Sequence, residues 1–353
     1  MSYKISIIIP VYNAEKTLQK AVDSLFSQNW NGDFEKDIEI ILIDDNSSDN
    51  SLKIIEKLYE KHDNINYHSF KDNSGFGGRG RNKGLEMSQG EYVIFMDNDD
   101  IYLQDSIQTL YDSILETKSD IIFANYETDF LAKQRLYCPE KYNKNMTINP
   151  TENQRIFDIV STTCSMAPWA KIYNKNFLVT NNIQFKEDSQ FDDAEFFIKC
   201  ILSSNQITIL PKTYVYMYYT YEDSQVRTHD KHHFDARLKT MKEMDDLITN
   251  DGFSSEALIK YCLMELFLII SNSNATKKEI YEMFDDLSDY QSKFGDFTYP
   301  KPELNILNKY IMSKHYNTAY IISKFYSVLY NNAFIRKMYR SINNAKKSSY
   351  DND

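Results

Sequence analysis

Apolar and polar positions along the first third of the chain switch repeatedly between two periods. Residues 4–9 form a β-branched run of strand length, and Pro10, which cannot donate in a central ladder, marks its expected end. Leu18, Ala21, Val22, Leu25 and Phe26 then recur at helical spacing, predicting a helix over residues 14–28 with Asn13 as N-cap. Residues 37–43 repeat the strand pattern, and Leu52, Ile55 and Leu58 predict a helix over 50–61 with Ser47, Ser48 and Asp49 as capping residues. A short strand at 66–70, a helix around Leu85 and Met87, an apolar strand ending near Met96, a helix over 103–116 and a strand over 120–126 follow. This alternation predicts an α/β domain with a mostly parallel sheet covered on both faces by helices.

The pattern weakens over 127–153, which reads as loops or an antiparallel hairpin. Residues 168–178 read as a turn followed by a short helix, 191–202 as a helix with Phe196, Phe197, Ile198 and Leu202 inward, and 213–221 as a strand. From about residue 232 strand signals vanish. Helical patterns over 238–248, 255–270, 277–287 and 304–339 predict an all-helical C-terminal region, so the expected division is 1–230 and 231–353.

Charge and cysteine content narrow the function classes. Forty Lys and Arg against 51 Asp and Glu leave a net charge of −11, which argues against a nucleic-acid partner. The first residues lack the charged and apolar leader of a secretory signal, and the most apolar later segment, 263–270, is interrupted by Glu265, so the expected location is cytoplasmic. Cys138, Cys164, Cys200 and Cys262 are too widely spaced for a zinc knuckle and read as reduced, mostly buried thiols. Residues 316–347 are rich in Tyr, Phe, Lys and Arg: either a peripheral contact for anionic lipid headgroups or a helix packed on its own domain or on a second copy.

The candidate chemistry gathers where apolar strands meet polar clusters. Asp97, Asn98, Asp99 and Asp100 end the strand that begins at Glu91, where ligands bind in open α/β sheets. Crowded carboxylates suit either a hard divalent cation with a diphosphate or a solvated acidic turn capping the next helix. Asp44 and Asp45 end the second strand. Residues 73–84 hold four glycines within six positions followed by Arg79 and Arg81, a flexible loop able to approach a diphosphate or an ordinary surface loop. Asp192, Asp193 and Glu195 suit the dipole at a helix start, and a carboxylate there can also serve as a general base. Trp169 is either a stacking platform for a sugar or a core aromatic, and His229 either a metal ligand or a surface histidine.

Taken in order, Pro10-Val11-Tyr12-Asn13, Asp44-Asp45-Asn46-Ser47, the Gly-rich stretch with Arg81-Asn82-Lys83-Gly84, Asp97-Asn98-Asp99, Trp169-Ala170-Lys171-Ile172-Tyr173 and the acidic pair before Phe196 resemble glycosyltransferase family 2 over about residues 4–230. The resemblance implies the GT-A fold, Rossmann-like with a mostly parallel mixed sheet, and inverting transfer from a nucleotide diphosphate sugar, usually a UDP-sugar, with Mn²⁺ or Mg²⁺. The implied acceptor is a glycan, polyol-phosphate or lipid-linked hydroxyl of the cell-envelope polysaccharide or teichoic acid type. By match, Pro10, Val11, Tyr12, Asn13, Asp45, Asn73, Gly75, Arg81, Asp97 and Asn98 would contact the donor, with Tyr12 against uracil, Asp45 on its N3–H, and Arg81 near Asp45 and the phosphates. Asp99, with Asp97 and His229 as further candidates, would hold the metal, Asp193 would be the base, and Trp169 and Asp192 would face the acceptor. Asp100 is left as the cap of the following helix. Two other functions compete: a sugar nucleotidyltransferase, which would carry a Gly-rich basic signature after the first strand, and a non-catalytic nucleotide-sugar or glycan-binding module.

Overall fold

The computed structural model describes residues 3–128, 144–189, 191–220, 230–295, 298–299 and 302–331. The chain divides into two compact units, one of residues 1–222 with 243–255, the other of 223–242 with 256–353.

The first unit is built on a mixed sheet. Strands β1 (Ile5–Val11), β2 (Ile38–Asp44), β3 (Ile65–Ser69) and β4 (Tyr92–Phe95) pair in parallel in the order β3-β2-β1-β4. Helices α1 (Leu18–Phe26), a short α2 (Phe34–Asp37), α3 (Ser51–Lys61) and α4 (Gly77–Met87) stand between them. Adjacent β1 residues pack on opposite faces: Ile7 and Ile9 join the core that contains Leu18, Ala21 and Val22 of α1, while Ile8 lies against α4 at Gly84. Burial on both faces is why these strands read as continuous apolar runs. Pro10 stays inside β1 and does not end it. Pairing with β4 stops at Ile8, so the missing N–H of Pro10 is not demanded on that side.

Beyond β4 come β5 (Ile101–Tyr102), α5 (Ser106–Thr117), β6 (Ile121–Thr128), β7 (Met146–Ile148), α6 (Gln154–Thr163), β8 (Lys171–Asn174), α7 (Lys175–Thr180), α8 (Asp192–Ser203) and β9 (Ile207–Tyr218). β8 is inserted antiparallel between β4 and β6, continuing the sheet as β4-β8-β6-β9-β5 with β7 also on β9. Residues 171–174, read from sequence as part of a turn, are therefore a strand. A polar Lys171 obscured it, and only its burial among neighbours makes four residues a strand. Residues 243–255 belong with this unit through the Lys186–Glu243 ion pair at 2.7 Å, Gln154 bonded to the Ser254 backbone, and Phe157 stacked on Phe253.

The glycine-rich stretch is helix, not flexible loop. Gly77, Gly78, Gly80 and Gly84 all lie in α4, and only Gly75 before it has a positive φ, 80°. The helix runs too close to its neighbours for side chains there: a Cβ on Gly84 would sit 2.2 Å from Ile8 Cγ2, and one on Gly78 2.2 Å from the Lys186 carbonyl oxygen. Packing thus overrides the low helix propensity of glycine.

Helices α9 (Lys231–Asn250), α10 (Glu256–Asn272), α11 (Lys277–Gln291), α12 (Pro302–Met312) and α13 (Tyr316–Asn331) complete the chain. Of the pattern expected over 304–339, the part up to Asn331 is two helices, broken at Lys314, whose φ is 57°, and 332–339 lie outside the described residues. Thr276 and Glu279 form a capping box at the start of α11. Among the described residues no helix is long and apolar enough to cross a membrane. Cys200 and Cys262 are buried and Cys164 is half-buried, whereas Cys138 lies outside the described residues.

Candidate active site

The carboxyl ends of β1, β2 and β4 converge, and loops from each are stitched to the next. The Val11 carbonyl accepts from Asp45 N at 2.8 Å, and the Pro10 carbonyl accepts from Asn98 Nδ2 at 2.8 Å. Asn13 takes a left-handed φ of 49°, donates its N–H to Ser47 Oγ and accepts from Ser48 N. Asn13 therefore joins the β1 and β2 loops and does not cap α1, which starts later, at Leu18. Ser47 and Ser48 likewise serve this junction, whereas Asp49 serves both, its Oδ2 accepting from Glu15 N and its Oδ1 from Ser51 N at the start of α3. Tyr12, 47% exposed at the tip, is open to stack on a planar ligand.

The two acids ending β2 divide by burial and partner. Asp44 is fully buried and holds Ser47 N and Ser69 Oγ, a structural task. Asp45 accepts from Asn73 Nδ2, Ser74 N and Ser74 Oγ on Oδ2, and from Arg79 Nη2 on Oδ1 at 2.5 Å. Arg79, whose guanidinium stacks 3.9 Å over Phe70, is thus the partner of Asp45. The expectation that Arg81 would sit beside Asp45 is corrected. One helical turn places Arg79 and Arg81 in different directions, which the sequence could not resolve.

Arg81 instead bridges two other acids. Its Nη2 donates to Asp97 Oδ1 at 2.9 Å and its Nη1 to Asp192 Oδ2 at 2.8 Å. Burial opposes its charge, yet Asp192 and Asp97 raise its pKa above the usual arginine value. The site therefore reaches across to the first turn of α8, where Asp192 has a side chain 8% exposed and Asp193 follows. Burial raises the Asp192 carboxyl against the pull of Arg81, with Asp193 and Asp97 adding to the rise. Held this way, Asp192 is turned to Arg81.

Asp99 and Asp100 also separate. Burial, then Asp97, pushes Asp99 up to about 6, so its carboxylate is destabilised where it stands and a hard cation would relieve it. Among the described residues no cluster of three His, Cys, Asp or Glu side chains would hold a metal alone, but one or two carboxylates suffice when a substrate diphosphate supplies the other oxygens. The residues fit that kind of site. Asp100 is fully buried, accepts from Tyr219 N at 2.8 Å, and is pushed up to about 9 by burial and by Asp97 and Asp99. It does not cap α5, because β5 intervenes and Asp105 occupies the cap position. His229 lies outside the described residues.

Trp169 is a core residue. It is 6% exposed, stacked on Tyr216 at 4.7 Å and Tyr218 at 5.6 Å, and met edge-on by Tyr126 at 4.6 Å, leaving no open face for a sugar. Two residues, Arg79 and Lys171, were given no role by the sequence. Arg79 was seen only as one of two loop arginines. Lys171 Nζ donates to the carbonyls of Ala167 and Trp169, and burial lowers its pKa to about 8. No spacing rule would have marked it.

The mixed sheet whose parallel half ends in this acidic, arginine-tied cleft has a GT-A-like fold. Residues 6–170 match the model of glycosyl transferase family 2. The glycosyltransferase GlyA of Streptococcus pneumoniae is 28% identical over 284 residues, 77% of this chain and 38% of its own. The poly(ribitol-phosphate) β-N-acetylglucosaminyltransferase TarS of Staphylococcus aureus is 32% identical over 217 residues, 60% of this chain and 35% of TarS. The chain thus spans little more than a third of either relative's length. In structure, TarS 1–349 in complex with UDP-GlcNAc superposes with a TM-score of 0.67 at 23% identity, covering 92% of this chain and 91% of that one.

Proposed function

We propose that this chain transfers a sugar from a UDP-sugar to an acceptor hydroxyl with inversion, with Asp193 as the base. The observation that carries the reading is that Arg81 ties Asp97, after β4, to Asp192 in the first turn of α8, next to Asp193. Asp45, fixed by Arg79, Asn73 and Ser74, is placed to accept from a base N–H beside the exposed Tyr12. Asn73 and Gly75 shape the loop beneath, and Asn98 and Asp97 face the ribose and donor sugar.

The acceptor hydroxyl loses its proton to Asp193 as its oxygen bonds to the anomeric carbon and the carbon–oxygen bond to the diphosphate breaks, releasing UDP. Asp99 would hold a Mn²⁺ or Mg²⁺, with Asp97 as a second candidate; the cation's chemistry is to neutralise charge developing on the leaving diphosphate. The parallel with a poly(ribitol-phosphate) transferase supports a polyol-phosphate or related cell-envelope glycan acceptor. Peripheral membrane contact or self-association would fall to the basic, aromatic segment 316–347, of which Tyr316–Asn331 is α13 and the remainder lies outside the described residues.

UDP release is measured with UDP-sugars, Mn²⁺ and a panel of polyol-phosphate and glycan acceptors. Turnover should fall at least 100-fold in Asp193→Asn with UDP affinity retained, and Asp99→Ala should abolish the Mn²⁺ dependence of turnover. A wild-type protein that binds UDP yet releases none from any donor, or an Asp193→Asn variant with full activity, would refute the reading.

A further inference from the structure

We propose that Arg81 is a positioning residue that locks donor-side Asp97 to Asp192 in the first turn of α8 and thereby sets where Asp193 stands, with Gly77 and Gly78 as the clearance the lock requires. This rests on the glycosyltransferase reading above and assigns Arg81 a task other than holding phosphate.

Both terminal nitrogens of Arg81 are engaged, one with each carboxylate, at 2.9 and 2.8 Å. A guanidinium is a rigid planar fork, so fixing both ends fixes the separation and orientation of the two acids. One of those acids lies just after β4 and the other opens α8, elements nearly a hundred residues apart in sequence. Because Asp192 and Asp193 are consecutive in one helical turn, a pin through the first determines the position of the second. The guanidinium also lies over Phe185, 5.4 Å from the ring centre, which closes a further side of its pocket.

The backbone of α4 has been cleared around this tie. A Cβ on Gly77 would stand 2.7 Å from Arg81 Nη1 and 3.1 Å from Cζ. On Gly78 it would stand 3.0 Å from Asp192 Oδ2, as well as against the Lys186 carbonyl. Gly77 and Gly78 have no positive φ, so their lack of a side chain serves space around the ion pairs and not backbone conformation.

The test combines UDP titration by calorimetry with steady-state kinetics on wild type, Arg81→Lys, Asp192→Asn and the double variant, each checked for folding by its thermal melt. A lone ammonium cannot span both carboxylates, so Arg81→Lys should lower kcat at least tenfold while the UDP Kd changes less than threefold. Asp192→Asn should do the same, and the double variant should fall no further than the worse single variant, the mark of residues acting as a unit. Gly77→Ala should reproduce the loss of kcat. Multiplicative losses in the double variant, or a tenfold weaker UDP Kd with unchanged kcat in Arg81→Lys, would overturn the proposal. Should Arg81→Lys fail to fold, Asp192→Asn decides alone: unchanged kcat there overturns it. A wild type that binds no UDP sinks the glycosyltransferase reading instead, and is recognised before any variant is made.

Discussion

The backbone N–H of Tyr219 donates to Asp100 Oδ1 at 2.8 Å, so the last acid of the cluster after β4 is spent on fastening the end of β9. Asp100→Ala removes the acceptor of that part-buried N–H and empties the fully buried place of the carboxyl, and the loss should be about 1–3 kcal/mol. Asp100→Asn keeps an acceptor of the same shape and should cost under about 1 kcal/mol. The pH dependence has a definite sign. The unfolded carboxyl titrates near 3.8 and the folded one near 9, so the folded state binds more protons between them and stability falls as pH rises through that window. Denaturant midpoints of wild type and Asp100→Asn from pH 5 to 8 should converge at the acid end, and parallel curves would remove the argument.

Trp169→Ala should cost about 3–5 kcal/mol, because it empties an aromatic layer shared with Tyr126, Tyr216 and Tyr218. Trp169→Phe should leave the acceptor KM unaltered. A large rise in that KM with normal stability would return Trp169 to the sugar-binding surface.

Arg79→Ala removes the partner of Asp45 Oδ1 and the stack on Phe70. If Asp45 reads the nucleobase, UDP affinity should weaken about tenfold, or about 1.4 kcal/mol. Calorimetry on the folded variant checks this, and an unchanged Kd would show that Asn73 and Ser74 suffice to orient Asp45.

Lys171 produces the opposite pH trend to Asp100. Its ammonium titrates near 10.5 when exposed and near 8 in the folded chain, so between these values the unfolded state binds more protons and stability rises with pH. Lys171→Met lacks this slope. Melting temperatures from pH 7.5 to 9.5 should show the wild type gaining on the variant as pH increases.

The sequence by itself determined the parallel half of the sheet, its helices and the carboxylates at the strand ends, because burial on both faces writes apolar runs and ligand loops write polar clusters. Through the order of its motifs it also resembled glycosyltransferase family 2, whose model matches residues 6–170. It misread the glycines as loop because their purpose lies in what they pack against, Ile8 at Gly84 and the Lys186 carbonyl at Gly78. β8 was hidden for a similar reason, its lysine being acceptable only where two carbonyls receive it. Tertiary structure alone decided the partners: Arg79 for Asp45, Arg81 for Asp97 and Asp192, and Tyr219 for Asp100. Residue type and spacing name the charges, but which pairs within hydrogen-bonding reach depends on helix phase and on strands distant in sequence.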